Sequence, residues 1–357
     1  MKVEKNTNSP TPILQNKNTP HHFEVVPKEI TDDLFVRAPF DSSKQEEISA
    51  PSISFWREAF NRLVKNKGAI ISIIILFILS VMAIIGPSMN EFTYRSQNIA
   101  HTNLPPKISG LEWMGFNGKD TNGVNQYEVR DITTNYWFGT DEFGRDLWTR
   151  VWKGTQISLY IALVAAFLDL VIGVLYGGLS AFYGGRVDTA MQRIIEVLVG
   201  IPNLVVIILF ILILDPGITS IILAMVVTGW VGMARVVRGQ IFQLKSQEFV
   251  LASRTLGASN NRLIWKHLLP NVMGPIIVTI MFTIPTAIFF EAFLSFIGLG
   301  LQAPQASLGV LIEDGYKAMR FFTYKLFFPA IIISATMICF NLLGDGLRDA
   351  LDPKMRK

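Results

Sequence analysis

The chain has 357 residues, of which 50% are hydrophobic and only 17% charged, and its mean hydropathy is positive. This composition is too apolar for a soluble protein and indicates a membrane protein. The net charge of +4 is small, and the Lys and Arg residues flank apolar runs instead of alternating with aromatic residues, so nucleic-acid binding is not supported.

The N-terminal region is polar, contains proline and shows no apolar periodicity. It also lacks the apolar stretch of a signal peptide, so we expect residues 1–54 to form an uncleaved, disordered tail. The single cysteine, Cys339, lies inside an apolar run and is expected to be a small buried hydrophobic side chain.

About six apolar runs approach the roughly 20 helical residues that cross a bilayer. The first lies in the segment 55–90, a long polar segment follows at 91–157, and the other five lie within 158–346. The expected spans are 68–89, 158–183, 194–214, 218–234, 272–297 and 326–344. The sequence therefore predicts an all-α polytopic membrane protein with about six transmembrane helices.

The Lys and Arg residues that flank the runs predict the orientation of the chain. Cations such as Arg57 and Arg62 precede the first run, and others follow the last, so both termini and the tail 347–357 are expected in the cytoplasm. The segment 91–157 is then external. The loop 235–270, between the fourth and fifth runs, is rich in cations and is expected to be cytoplasmic.

Glycine and proline recur inside the apolar runs. Such residues allow helices to approach closely or to kink where neighbouring groups satisfy the backbone, and a hinge or gate is the alternative interpretation. The positions are Gly173, Gly177, Gly178, Pro202, Gly229, Gly232 and Pro285.

The stretch EFVLASRTLG within the predicted loop has the pattern of a short amphipathic helix. Phe249, Ala252 and Leu256 fall on one stripe of it. Gly257 is expected to end this helix in the left-handed conformation, and Ser259 to cap a second short helix over NNRLIWKHLL that ends at Pro270. The stretch then forms two small helices joined by a fixed turn.

Two functions fit this helical unit when only its spacing is considered. One is an interfacial helix under the bilayer, anchored by Trp265 and the cations. The other is a helix that docks into a groove of a partner, because small residues such as Ala252, Ser253 and Gly257 permit close approach of the backbone.

The same stretch resembles the cytoplasmic EAA loop of ABC importer permeases. That pattern has Glu-Ala-Ala, three residues, Gly, nine residues, Ile, one residue and Leu-Pro. Ala252, Gly257, Leu269 and Pro270 match it, and the positions that differ are Leu251, Ser253 and His267.

Three further stretches extend the resemblance to the dipeptide, oligopeptide and nickel permease group, and within it to the C-type subunit of oligopeptide permeases. They are FGTDEFGRDLWTRVWKGTQISL (138–159), FEAFLSFIGLGLQAPQASLGVLIEDG (290–315) and GDGLRDALDP (344–353). The resemblance covers roughly residues 55–355.

The resemblance implies one half of a heterodimeric channel in the bacterial plasma membrane. Its partners would be a second permease subunit, two ATP-binding subunits inside and a substrate-binding protein outside. The chain itself would be no enzyme and would bind no cofactor, with ATP and Mg used by the ATPases. The sequence agrees, since it contains no G-x-x-x-x-G-K-[ST] motif.

The resemblance also implies which residues contact the ATPase. Because Leu251 stands where the pattern has Glu, Glu248 is the expected charged contact. The full expected set is Glu248, Phe249, Ala252, Ser253, Leu256, Gly257 and Ala258.

Ionisable residues inside or beside the spans are candidates for the pathway or its gate, because charge at membrane depth is costly. Asp169, Glu196 and Glu291 are the candidates. Hydrogen bonding between helices is the competing interpretation for Asp169 and Glu291. Glu196 clusters with Asp188 and Arg193, for which an ion-pair network and a solvated surface are the two interpretations.

A second charged group precedes the second span. Asp141, Arg145, Asp146 and Arg150 lie within about ten residues of one another. We expect them to cap the entering helix, and the alternative is that they brace the outer mouth or contact the binding protein.

Other functional classes remain open at the level of the sequence. A dipeptide or nickel permease fits the same motifs, and the long first external loop favours oligopeptides. A secondary transporter is expected to show inverted repeats and coupling-ion ligands at the midplane, and neither is visible here. A channel or signalling protein would not need a compact docking loop.

Overall fold

The computed structural model describes residues 54–352, and the backbone there is helical with only isolated β-bridges. The all-α prediction is therefore confirmed. The predicted disordered tail lies outside the described residues apart from residue 54, and so do the C-terminal cations Lys354, Arg356 and Lys357. Cys339 is buried, as expected.

Twelve helices are assigned in the described part of the chain: α1 Phe55–Lys65, α2 Lys67–Ile85, α3 Gln126–Val129, α4 Leu147–Tyr183, α5 Gly185–Gly200, α6 Asn203–Leu214, α7 Ile218–Lys245, α8 Glu248–Thr255, α9 Asn260–Arg262, α10 Leu269–Phe296, α11 Leu308–Ala318 and α12 Tyr324–Leu351. Five helical stretches in these residues are long and apolar enough to cross a membrane, or six if α5 and α6 form one bent span.

The membrane helices extend beyond the apolar runs that predicted them. Helix α4 begins at Leu147 instead of residue 158, α7 continues to Lys245 instead of residue 234, and α12 continues to Leu351. Hydropathy marks only the part of a helix that suits hydrocarbon, whereas caps and packing set where the helix ends.

The third predicted span is not one straight helix, and it is broken at Pro202, one of the positions at which the sequence allowed a kink. Helices α5 and α6 meet at an 80° bend. Ile201 is extended at the bend, with φ −88° and ψ 126°, and Pro202 follows it. Proline has no backbone N–H and disfavours helical geometry at the preceding residue, which explains the break.

The second short helix was predicted to end at Pro270, and this is also wrong. Helix α9 continues through a π-helical turn, Leu263–Leu268, into α10, so that Asn260–Phe296 is one helical stretch. Pro270 is the second residue of α10 and directly follows the π-helical turn, so it does not end the helical stretch.

Helices α4 and α7 approach each other closely at glycines. A Cβ atom at Gly177 would lie 2.2 Å from the carbonyl oxygen of Ala234, and one at Gly173 would lie 2.6 Å from Cβ of Met233. The predicted close approach is confirmed at these two positions. At Gly232, by contrast, an added Cβ would meet nothing within 4 Å.

The segment between α2 and α4 folds over one end of the helix bundle. It has its own apolar core of Leu104, Tyr127, Ile132 and Tyr136. The Tyr324 hydroxyl, at the start of α12, donates to the Thr140 carbonyl at 3.1 Å. The segment leads into the start of α4 at Leu147, whereas Lys245, just before α8, contacts Phe182 at the end of α4, so this segment and α8 lie at opposite ends of the bundle.

Candidate functional site

The unit around α8 has the predicted local structure. Helix α8 covers Glu248–Thr255, and Gly257 follows it with φ +82°, where a side chain would be strained. The Ser259 hydroxyl accepts a hydrogen bond from the Arg262 backbone N–H at 3.4 Å and caps the next helix. The predicted short helix, glycine turn and serine cap are thus confirmed.

Burial divides α8 into an anchored face and an uncovered face. Val250 is 4% exposed and packs with Ile241 and Leu263 in a cluster that joins α4, α7 and α10. Phe249 and Leu256, in contrast, are 43% and 89% exposed. The predicted apolar stripe is therefore on the uncovered face, and Val250 is the anchor that the sequence pattern did not identify.

The residues expected to contact an ATPase share this uncovered surface. Five of them are exposed, and Ser253 and Ala258 are half-buried. The Ser253 hydroxyl donates to the Phe249 carbonyl of its own helix at 2.8 Å. Exposed large apolar side chains such as Phe249 and Leu256, on a face that no other helix of the described residues covers, are typical of a surface that binds another protein.

Two cationic side chains of α7 connect it to the neighbouring helices at the same end. The Lys245 ammonium donates to the carbonyls of Phe182 and Ala181 at 2.5 and 3.3 Å, so it caps the C-terminus of α4. Arg238 donates to both carboxylate oxygens of Asp188 on α5, each at 2.6 Å.

Asp188, Arg193 and Glu196 do not form one network, and the exposed Arg193–Glu196 pair fits the alternative of a solvated surface. Asp188 binds Arg238 instead, and the Ser180 hydroxyl donates to it at 2.5 Å. Arg193 and Glu196 form a separate pair at 2.6 Å, three residues apart on α5, and both side chains are exposed. Arg238, 50 residues from Asp188, was missed because sequence spacing does not show which helices pack together.

Glu291 lies at the junction of α4, α10 and the start of α11. It is fully buried, and the hydroxyls of Ser158 and Ser295 donate to its two oxygens at 2.7 and 3.0 Å. The Leu308 backbone N–H in turn donates to the Ser158 oxygen at 3.1 Å. The geometry matches the interpretation of Glu291 as a hydrogen-bonded structural carboxylate.

Asp169 has a different environment in α4. The residue is 6% exposed, and its Oδ1 atom is buried without a hydrogen-bond donor. Its carboxylate packs over Gly229 of α7, where an added Cβ would lie 2.3 Å from Oδ2. Asp169 also lines a cavity of about 270 Å³ between α4, α6, α7 and α10.

One member of the charged group before α4 caps this helix, as predicted for the group, and the other three form ion pairs. Asp146 is the N-cap residue, and its side chain accepts from the Thr149 backbone N–H at 2.8 Å. Asp141 binds Arg145 at 2.5 Å and lies 3.4 Å from Arg150.

Arg150 also approaches Asp314 of α11 at 4.0 Å, a contact between distant parts of the chain that sequence spacing does not indicate. Burial raises the pKa of the Asp314 carboxyl, and the positive charge of Arg150 opposes that shift.

Among the described residues, no group of three His, Cys, Asp or Glu side chains is placed to hold a metal ion.

Comparison with known families gives two matches. Residues 142–357 match the model for the binding-protein-dependent transport system inner membrane component. Residues 54–106 match the model for the N-terminal transmembrane domain of oligopeptide transport permease C.

Curated relatives extend over nearly the whole chain. The dipeptide transport system permease protein DppC of Bacillus subtilis is 46% identical over 97% of this chain and 99% of its own length. The oligopeptide transport system permease protein OppC of the same organism is 44% identical over 92% of this chain and 99% of its own length. A solved inward-facing MetNI methionine ABC transporter has a TM-score of 0.49 and 18% identity, covering 57% of this chain and 96% of that chain.

Proposed function

The chain belongs to the binding-protein-dependent transport system inner membrane component family, and on this premise we propose that it is a permease subunit of an ATP-driven peptide importer. The observation that carries the proposal is the match of nearly the full chain to permeases named for peptide transport. The protein is a membrane transport component and not itself a catalyst. ATP and Mg are proposed to act in partner subunits.

The geometry of α8 supports a role in coupling to those partners. We propose that an ATPase subunit holds the uncovered face of α8, with Phe249 and Leu256 as apolar contacts and Glu248 as a charged contact. The remaining contacts would be Ala252, Ser253, Gly257 and Ala258. Small residues at the turn permit the partner to approach the backbone.

Movement of α8 would be transmitted to the membrane helices through its anchored face. Val250 packs against residues of α7 and α10, and Lys245 connects the end of α7 to the end of α4. Transport by such a unit requires two global states whose balance nucleotide changes through differential contact. The packed cluster provides the physical connection between nucleotide binding and these states.

The other partners and the orientation are proposed from the same premise. A second permease subunit would complete the pathway, two ATP-binding subunits would bind at the α8 end, and a substrate-binding protein would bind at the opposite end. The chain would lie in a bacterial plasma membrane with both termini in the cytoplasm. The cations around α8, including Arg254 and Arg262, agree with a cytoplasmic position for that end.

Oligopeptides are the proposed substrates, supported by the match of residues 54–106 to an oligopeptide permease domain. Dipeptides are the second candidate, because a relative named for dipeptide transport is 46% identical. Uptake of labelled peptides of two to six residues, in cells that lack and then regain this chain, tests both. Restored uptake of longer peptides supports the first, restored uptake of dipeptides alone supports the second, and restoration of neither contradicts the proposal.

A further inference from the structure

The cavity beside Asp169 has the chemistry of a cation site. Its lining contains the Asp169 carboxylate, three threonines and Asn203, whose side-chain oxygen accepts from the Thr228 hydroxyl at 2.5 Å, but no Lys, Arg or His. The threonines, Thr279, Thr283 and Thr286, donate their hydroxyl protons to carbonyls of α10 itself. Each threonine oxygen therefore keeps lone pairs that can accept a hydrogen bond from a ligand.

Asp169 is located too deep to be explained as a surface carboxylate. It lies 14 residues before the end of α4, which corresponds to about 21 Å at 1.5 Å per residue. A carboxylate at such depth is costly unless a protein group, water or ligand compensates it. Glu291 has two serine donors, whereas Oδ1 of Asp169 has none.

The backbone around the cavity is also adapted to hold this carboxylate. Gly229 leaves the space that the Asp169 oxygens occupy, and a methyl group there would overlap them. Asn203 is the first residue of α6, directly after the break at Ile201 and Pro202. Non-helical backbone at membrane depth is tolerated where it is buried in protein or lines a cavity.

We propose that this cavity binds a cationic amino group of the peptide during translocation, with Asp169 as its counter-charge and the threonine hydroxyls as further acceptors. The inference rests on the proposed function. A volume of about 270 Å³ is slightly below the roughly 300–1,000 Å³ of sites that enclose a drug-sized ligand. The cavity therefore fits one end or one side chain of a peptide. Phe282 and Phe290 provide apolar walls around the charge.

The experiment uses the complete transporter, reconstituted in proteoliposomes, and four versions of one peptide. The N-terminus is free or acetylated, and one internal position is lysine or norleucine. Initial uptake rates are measured for the wild type, for Asp169→Asn and for Gly229→Ala, which displaces the carboxylate without removing it. Glu91→Gln, which neutralises an exposed carboxylate elsewhere, is the matched control.

We expect both cavity variants to lower uptake of peptides with the recognised amino group by about tenfold or more, the effect of losing a charge-assisted hydrogen bond. For peptides without that group, the uptake rate of each variant should differ from that of the wild type by less than about twofold. If uptake falls only for peptides with a free N-terminus, the terminal ammonium is the ligand. If it falls only for peptides with lysine, the lysine side chain is the ligand.

Two results would overturn the inference. One is an equal loss for all four peptides in both variants at normal amounts of assembled transporter, and the other is no loss for any peptide. The preference of the external binding protein for one peptide over another does not affect the result, because the uptake rate of each peptide is compared between variant and wild type. Absence of uptake of all four peptides by the wild type would instead refute peptide transport itself, and the inference with it.

Discussion

Arg238 and Asp188 form a bidentate ion pair between α7 and α5, with two nitrogen-to-oxygen distances of 2.6 Å. The pair fixes the start of α5 to the last turns of α7, near the point where α7 leads into α8. Paired hydrogen bonds between guanidinium and carboxylate are among the stronger polar contacts in proteins, because both geometry and charge match.

Replacing Asp188 by Asn should destabilise the connection between α5 and α7. Because the pair is only partly exposed, we expect a loss of about 1–2 kcal/mol in the free energy of unfolding. Thermal unfolding of the purified transporter measures it. The exchanged double variant, Asp188→Arg with Arg238→Asp, should be more stable than either of its single variants, and a double variant no more stable than them would contradict a specific pairing.

Replacing Gly257 by Asp should leave the helix bundle folded and uncouple it from the ATPase. An added side chain would extend from the uncovered turn, where nothing in the chain lies within 4 Å, into the proposed partner surface. The readouts are peptide uptake and copurification of the ATPase subunit. Gly123→Asp is the matched control, since Gly123 also has a positive φ and open surroundings but lies far from α8. Normal uptake with normal copurification would refute the docking surface.

Replacing Gly177 by Ala should separate α4 from α7. The methyl group would lie 2.2 Å from the Ala234 carbonyl oxygen, so the helices must shift, at an expected cost of about 1–3 kcal/mol. Gly178→Ala is the control, because its nearest contact is Cδ1 of Ile241 at 3.7 Å. The midpoint of thermal unfolding should be clearly lower for purified Gly177→Ala than for Gly178→Ala. Equal midpoints would show that the close contact at Gly177 does not restrict the size of the side chain there.

Replacing Glu291 by Ala should impair assembly more than transport. The buried hydroxyls of Ser158 and Ser295 would lose their acceptor, at about 1–3 kcal/mol for each group left unsatisfied. The measurements are the amount of assembled transporter in the membrane and the peptide uptake per assembled transporter; the first should fall more than the second. A normal amount of transporter with strongly reduced uptake would instead place Glu291 in the pathway.

The sequence predicted the features that depend on neighbouring residues. The length of apolar runs identified the membrane helices, the charged group before α4 and Ser259 indicated helix caps, and Gly257 identified the turn after α8. These features are local, because a cap or a turn is formed by groups a few residues apart. Pro202 was among the positions where a kink was allowed, but hydropathy, which is insensitive to a missing N–H, did not show that the span would break there.

Only the tertiary structure determined which groups meet across the bundle. It paired Asp188 with Arg238, gave Glu291 two serine donors and left Oδ1 of Asp169 without one. These carboxylates are alike in sequence, and the packing of distant helices decides which of them receive donors. The same packing turned Val250 inward and left Leu256 exposed, because burial depends on the position of the neighbouring helices and not on hydrophobicity alone.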